Sequence, residues 1–180
     1  MRHSIAVTRY STGSKFFHWL IAIIVIAMLS GSFFLDDLPK DYQGFAFMMH
    51  KSFGLTVLFL MILRFLWILY QGKPNLPDTV PHWQRFLAHF VQYFLYLGII
   101  SMAMCGWVMS VAATRAPVYF GLFKLSLPIE PNKGLAKLAL QGHKTIAWIL
   151  IGLVILHILG AVKHHFIDKD NVLKRMLPGG

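Results

Sequence analysis

Residues 142–157 read GHKTIAWILIGLVILH, an almost unbroken apolar run with one histidine next to its start and another at its end. A run this apolar and this long is the pattern of a helix that leaves water, so its two imidazoles are what needs explaining. At 3.6 residues per turn, the fourteen-residue step from His143 to His157 makes about 3.9 turns and rises about 21 Å. The two rings therefore share nearly one face of the helix at two well-separated depths.

Working outward, four segments qualify as membrane spans: 16–35, 50–70, 86–112 and 142–162. Each reaches the roughly 20 apolar residues that a hydrocarbon core of about 30 Å demands. The 180 residues are 57% hydrophobic, 14% aromatic and 13% charged, with a mean hydropathy of +0.60. That leaves too few charges to clothe a soluble domain. The expected fold is all-α: a single membrane domain over 1–180, an integral four-helix bundle. Its carboxylates, Asp36, Asp37, Asp41, Asp78, Glu130, Asp168 and Asp170, all fall in connections or the tail, as the cost of charge in lipid requires. The third segment is long for one crossing, so it tilts or its last residues leave the membrane.

Arg2, Arg9 and Lys15 followed by an apolar run ending in Ser30, Gly31 and Ser32 imitate a signal peptide. The run exceeds the about 7–15 residues of a cleaved segment, so it is read as a retained helix. Four spans put both termini on one side. The basic residues Arg2, Arg9, Lys15, Lys73, Arg85, Lys163, Lys169, Lys174 and Arg175 assign that side to the cytoplasm. Arg115, Lys124, Lys133 and Lys137 then fall outside, against the usual bias.

The first two connections, DDLPKDYQG and QGKPNLPDTVPHW, are short and broken by proline. The third, 111–141, is long; its VYFGLFKLSLP is apolar enough to fold over the bundle mouth. Cys105 is the sole cysteine, which excludes a disulfide framework, a thiolate metal cluster and C-x-x-C-H haem attachment. No Gly-rich phosphate loop, nucleophile elbow or H-E-x-x-H motif is present. The net charge of +10 is spread over both membrane faces, so nucleic acid is set aside.

Placed by depth, His18 lies near the inner face, His50 and His143 open their spans from outside, and His157 returns to the inner side. They sort into two pairs, His18 with His157 and His50 with His143. Four-helix bundles build cofactor sites from side chains that face across the core, and an imidazole on each side of an iron porphyrin is a known use. The expectation is two non-covalent haem b groups, one per leaflet, with inner iron on His18 and His157 and outer iron on His50 and His143. Zinc needs three or four clustered ligands and is a poor match. The bland alternative is a structural membrane protein with coincidental histidines, and the pairing by depth argues against it.

His89 rivals His18 or His157 by depth, and a place beside the inner haem or a plain interface position are both open to it. Arg64, fourteen residues after His50, reaches the inner level with no acid nearby. It either partners a haem propionate or snorkels past Tyr70 to the headgroups. Lys51 and Lys144 hold outer propionates, draw an anionic donor, or are ordinary interfacial lysines. Trp19 reads as an interfacial anchor, and His3, His82, His164 and His165 as solvated.

KFFHWLIA, MHKSFGLTVLFLMILRFLW, GHKTIAWILIGLVILH and AVKHHFIDKDNVLKRMLP together resemble the bacterial cytochrome b561 family over almost the whole chain. The resemblance implies a four-helix inner-membrane protein with two b haems whose ligand pattern falls on His18, His50, His143 and His157. It further implies electron transfer between a reductant and the quinone pool. One activity in the family is superoxide oxidation with ubiquinone as acceptor. The family also resembles cytochrome b subunits that serve separate dehydrogenases, which makes an electron-relay subunit the alternative. Eukaryotic relatives of the same name have six spans, so ascorbate use is not implied.

Imidazoles on both axial positions leave no open coordination site, so outer-sphere electron transfer is the expected chemistry. A basic funnel from Lys51, Arg115, Lys124, Lys133, Lys137 and Lys144 is suited to raising the encounter rate of a small anionic donor.

Overall fold

The computed structural model describes residues 9–77 and 79–179; Arg2, His3 and Asp78 lie outside them. Four helices dominate: α1 (Thr12–Gly31, continued by a 3-10 turn at Ser32–Phe34), α2 (Lys40–Gln71), α3 (His82–Ala112) and α4 (Lys133–Phe166). All four are long and apolar enough to cross a membrane.

Local chemistry sets their ends. Ser11 Oγ accepts from the Ser14 backbone N–H at 3.2 Å to start α1, and Asn132 Oδ1 accepts from Leu135 N–H at 2.9 Å to start α4. Pro39 and Pro81 precede α2 and α3, where proline blocks helix in the residue before it. Gly72 stops α2 at φ 77°, a backbone region that favours glycine.

Two helices outrun their apolar segments. α2 begins ten residues before His50, and α4 nine before Gly142. The extra turns carry polar residues such as Lys40, Asp41, Lys133 and Lys137, so the helices project beyond the hydrocarbon and the third connection shrinks to 113–132. Its apolar run makes a hairpin, β1 (Val118–Tyr119) antiparallel to β2 (Phe123–Lys124). Ser52, wholly buried on α2, ties it down: Phe120 N–H donates to Ser52 Oγ at 2.9 Å, and Thr56 Oγ1 lies 3.0 Å from the Tyr119 hydroxyl.

α3 and α4 pack most extensively on each other, α1 lies on α2, and α2 on α3. The core takes every fourth residue of α1 (Ile21, Val25, Leu29), Val57 and Met61 of α2, and Leu150 of α4. Leu150 fits because Gly98 of α3 has no Cβ; one there would stand 2.8 Å from Leu150 Cδ2. Other large apolar side chains point outward, Ile23 at 65% exposure and Leu69 at 67% among them. Such an outward apolar belt is what a lipid-facing bundle presents.

After α4 the chain folds back. Lys163 Nζ reaches both oxygens of Asp168, and His164 Nδ1 lies 2.6 Å from Asp170 Oδ2. Residues 175–177 then cross to the rest of the bundle: Lys15 Nζ donates to the Leu177 carbonyl at 2.9 Å, Trp19 Nε1 to Met176 at 2.9 Å, and Arg175 to Asn75 at 2.8 Å. His164 is consequently buried, which corrects its reading as solvated: Asp170 supplies the partner that makes burial tolerable. His165 Nδ1 is shielded too.

Candidate functional site

The bundle has a hairpin end and a tail end. At the hairpin end His50 of α2 faces His143 of α4, with ring centres 6.2 Å apart and planes at 71°. At the tail end His18 of α1 faces His157 of α4 at 6.1 Å and 69°. An imidazole nitrogen binds a first-row metal at about 2 Å, so two imidazoles on opposite sides of one metal put their ring centres about 6 to 6.5 Å apart. Both pairs have that spacing.

Hydrogen bonding orients one ring unambiguously. His143 Nδ1 lies 2.9 Å from the Met102 carbonyl oxygen. A carbonyl only accepts, so the proton sits on Nδ1 and the lone pair on Nε2, the tautomer a metal ligand needs. Gly106 of α3 makes space for this ring. Around the pair lies a cleft whose walls include Met28, Gly54, Leu55, Ile99 and Met102. Apolar walls of this kind suit a flat macrocycle.

The tail-end pair has a charged neighbour. Arg64 of α2 lies within electrostatic reach of both His18 and His157, and its Cζ sits 5.4 Å from the centre of the Tyr96 ring. Arg64 Nε and His18 Nδ1 are shielded from solvent without a hydrogen-bond partner among the described residues, and the Arg64 guanidinium interacts with the Tyr96 hydroxyl. The guanidinium thus lies beside Tyr96 of α3. A buried donor with no protein acid to meet it suits a carboxylate brought by a ligand. Opposed imidazoles, an apolar cleft and this guanidinium fit haem with its propionates.

The ring of His89 lies 6.5 Å from that of Tyr93, and with Tyr10, Lys73, Asn75, Arg85 and Gln92 it lines a polar cleft at the tail end. Burial pushes the Tyr10 hydroxyl above its ordinary range, with the charges of Arg64 and Arg175 pulling the other way. At neutral pH it is therefore a proton-bearing donor. Lys51 Nζ donates to the Arg115 carbonyl at 2.9 Å, while Lys144 is exposed beside His143. His164, Asp168 and Asp170 come close enough together to hold a metal. Lys163 already engages Asp168, and the Val172 N–H engages Asp170, so the group acts as a clasp for the tail.

Sequence reading missed Gly106, Ser52, Tyr96 and Tyr10. Tyr96 carried a usable signal, a phenol in mid-span where polar groups are costly; the others depend on contacts between distant segments.

A family model described as prokaryotic cytochrome b561 matches residues 9–179. The chain belongs to the prokaryotic cytochrome b561 family. It is accordingly a helical, multi-pass bacterial membrane cytochrome of electron transport that binds haem b. Among its relatives, cytochrome b561 homolog 2 of Escherichia coli strain K12 is 34% identical over 173 residues, covering 94% of this chain and 91% of that protein. A Yersinia pestis protein named "Probable superoxide oxidase CybB" is 31% identical over 171 residues, covering 94% and 96%. Cytochrome b561 homolog 1 of the same E. coli strain is 26% identical over 174 residues, covering 96% and 98%.

Proposed function

We propose that this cytochrome b561 holds two haem b groups, one between His50 and His143 and one between His18 and His157, with Arg64 on a propionate of the second. It passes electrons from a small anionic donor at the hairpin end to the quinone pool at the tail end, as a superoxide:ubiquinone oxidoreductase. The carrying observation is the pair of opposed imidazoles, repeated at two levels with the same spacing. The name of the Yersinia relative supports the choice of donor.

Bound haem supplies one-electron redox chemistry; the remaining tasks fall to the chain. The Met102 carbonyl keeps His143 in its ligating tautomer. Exposed Arg115, Lys124, Lys133, Lys137 and Lys144 attract an anion to the hairpin end. The cleft of Tyr10, His89 and Gln92 gives a quinone head a polar approach and protons. Two superoxide ions lose one electron each to give two dioxygen molecules, and one ubiquinone takes two electrons and two protons to give ubiquinol. In this reading the tail end faces the cytoplasm of a bacterial inner membrane.

Purified protein is expected to show two protohaems per chain in a pyridine haemochrome assay. It is also expected to accelerate superoxide loss in the presence of a ubiquinone analogue, less so as salt rises. Two haems with no superoxide-driven quinone reduction would instead favour the relay-subunit reading, in which a redox protein delivers the electrons.

A further inference from the structure

We propose that Arg64 sets the direction of electron flow, by making the tail-end haem the stronger electron acceptor of the two. This inference rests on the di-haem reading above. The two imidazole pairs are nearly identical in spacing and angle, 6.1 Å and 69° against 6.2 Å and 71°. Ligand type and ring geometry therefore give the two levels no reason to differ, and any difference in potential comes from their surroundings.

Those surroundings differ in charge. At the tail end a guanidinium lies inside the span, its Nε shielded, its Cζ 5.4 Å from the centre of the Tyr96 ring, within reach of both imidazoles. At the hairpin end Lys51 borders the cleft and acts on His50 as well, but its ammonium is drawn to the Arg115 carbonyl of the loop at the mouth of the bundle, and the other cleft walls are largely apolar. Reduction adds one negative charge at the iron. A fixed positive charge favours that step, and more strongly when low dielectric surrounds it than at a wetted rim. Haem carboxylates accompany the group to both levels, so the protein charge is what distinguishes them. One electron entering at the hairpin end then moves downhill to the tail end.

The test is a potentiometric titration of the detergent-solubilised holoprotein, followed optically, for the wild type, Arg64→Gln, Arg64→Met and Arg64→Lys. In both neutral variants one haem component is expected to lose at least tenfold in its reduced-to-oxidised ratio at fixed ambient potential, equivalent to about 59 mV. The other component stays put, and Arg64→Lys remains close to wild type. His157→Ala identifies the tail-end component, which must be the one that moves. The inference is overturned by a smaller shift, by equal shifts of both components, or by a lysine variant that moves as far as the methionine one. It is equally overturned if neither neutral variant retains two haems, since the contribution of Arg64 would then be retention of the tail-end group alone. A wild-type protein without two haems would sink the functional reading itself, whereas two haems insensitive to Arg64 would sink this inference alone.

Discussion

Gly106 of α3 and His143 of α4 fit together only because one of them lacks a side chain: a Cβ at position 106 would stand 3.2 Å from both Cε1 and Nδ1 of the ring. Something must yield by a few tenths of an ångström for Gly106→Ala, and by far more for Gly106→Val. We expect alanine to lower haem content at the hairpin end and valine to abolish it, with the tail-end haem unaffected. Haem-to-protein ratios across the three proteins check this.

Removing one imidazole from a pair should empty one level only. His143→Ala and His157→Ala are each expected to halve the pyridine haemochrome signal, and the double variant to remove it. Because the levels lie about 21 Å apart along α4, the spectrum of the surviving haem should match its wild-type component.

Ser11 joins the start of α1 to the end of α2. Its hydroxyl accepts from Ser14 N–H at 3.2 Å and from Trp67 Nε1 at 2.9 Å, and Trp67 lies against Gly13, where a Cβ would be 2.5 Å from its ring. Ser11→Ala removes the cap and leaves the indole donor unmatched, at an expected cost of about 1–3 kcal/mol. Thermal melting in detergent should show a lower Tm, largely restored by Ser11→Thr.

Charge reversal at the hairpin end bears on the donor. Arg115→Glu combined with Lys144→Glu is expected to slow reaction with superoxide severalfold at low ionic strength. The difference should fade at high salt, as screening shortens the reach of exposed charges. Rates with an uncharged reductant serve as the control and should not change.

The tail gives a readout independent of haem. Asp170 binds both His164 and the Val172 N–H, so Asp170→Ala should loosen 167–179 from the bundle. Limited proteolysis is expected to cut there sooner, leaving α1 to α4 intact.

Much of this was readable along the chain because membrane helices announce themselves locally. The run from His143 to His157 needs only helical periodicity to put both rings on one face, and a lone Arg64 in apolar sequence is conspicuous. The polar first turns of α2 and α4 were missed because hydropathy locates the hydrocarbon boundary, not the end of a helix that continues into water. The hold of Ser52 on the hairpin, the space at Gly106 and the burial of His164 by Asp170 rest on contacts between segments. Neither composition nor period reports those.

Each facing pair takes one ring from α4: His143 completes the arrangement with His50, and His157 the one with His18. The last long helix to leave the ribosome therefore creates both metal-binding geometries, and a nascent chain of three helices contains neither. Maturation becomes a single late event in the bilayer, with every earlier stage unable to acquire its pigment at either depth.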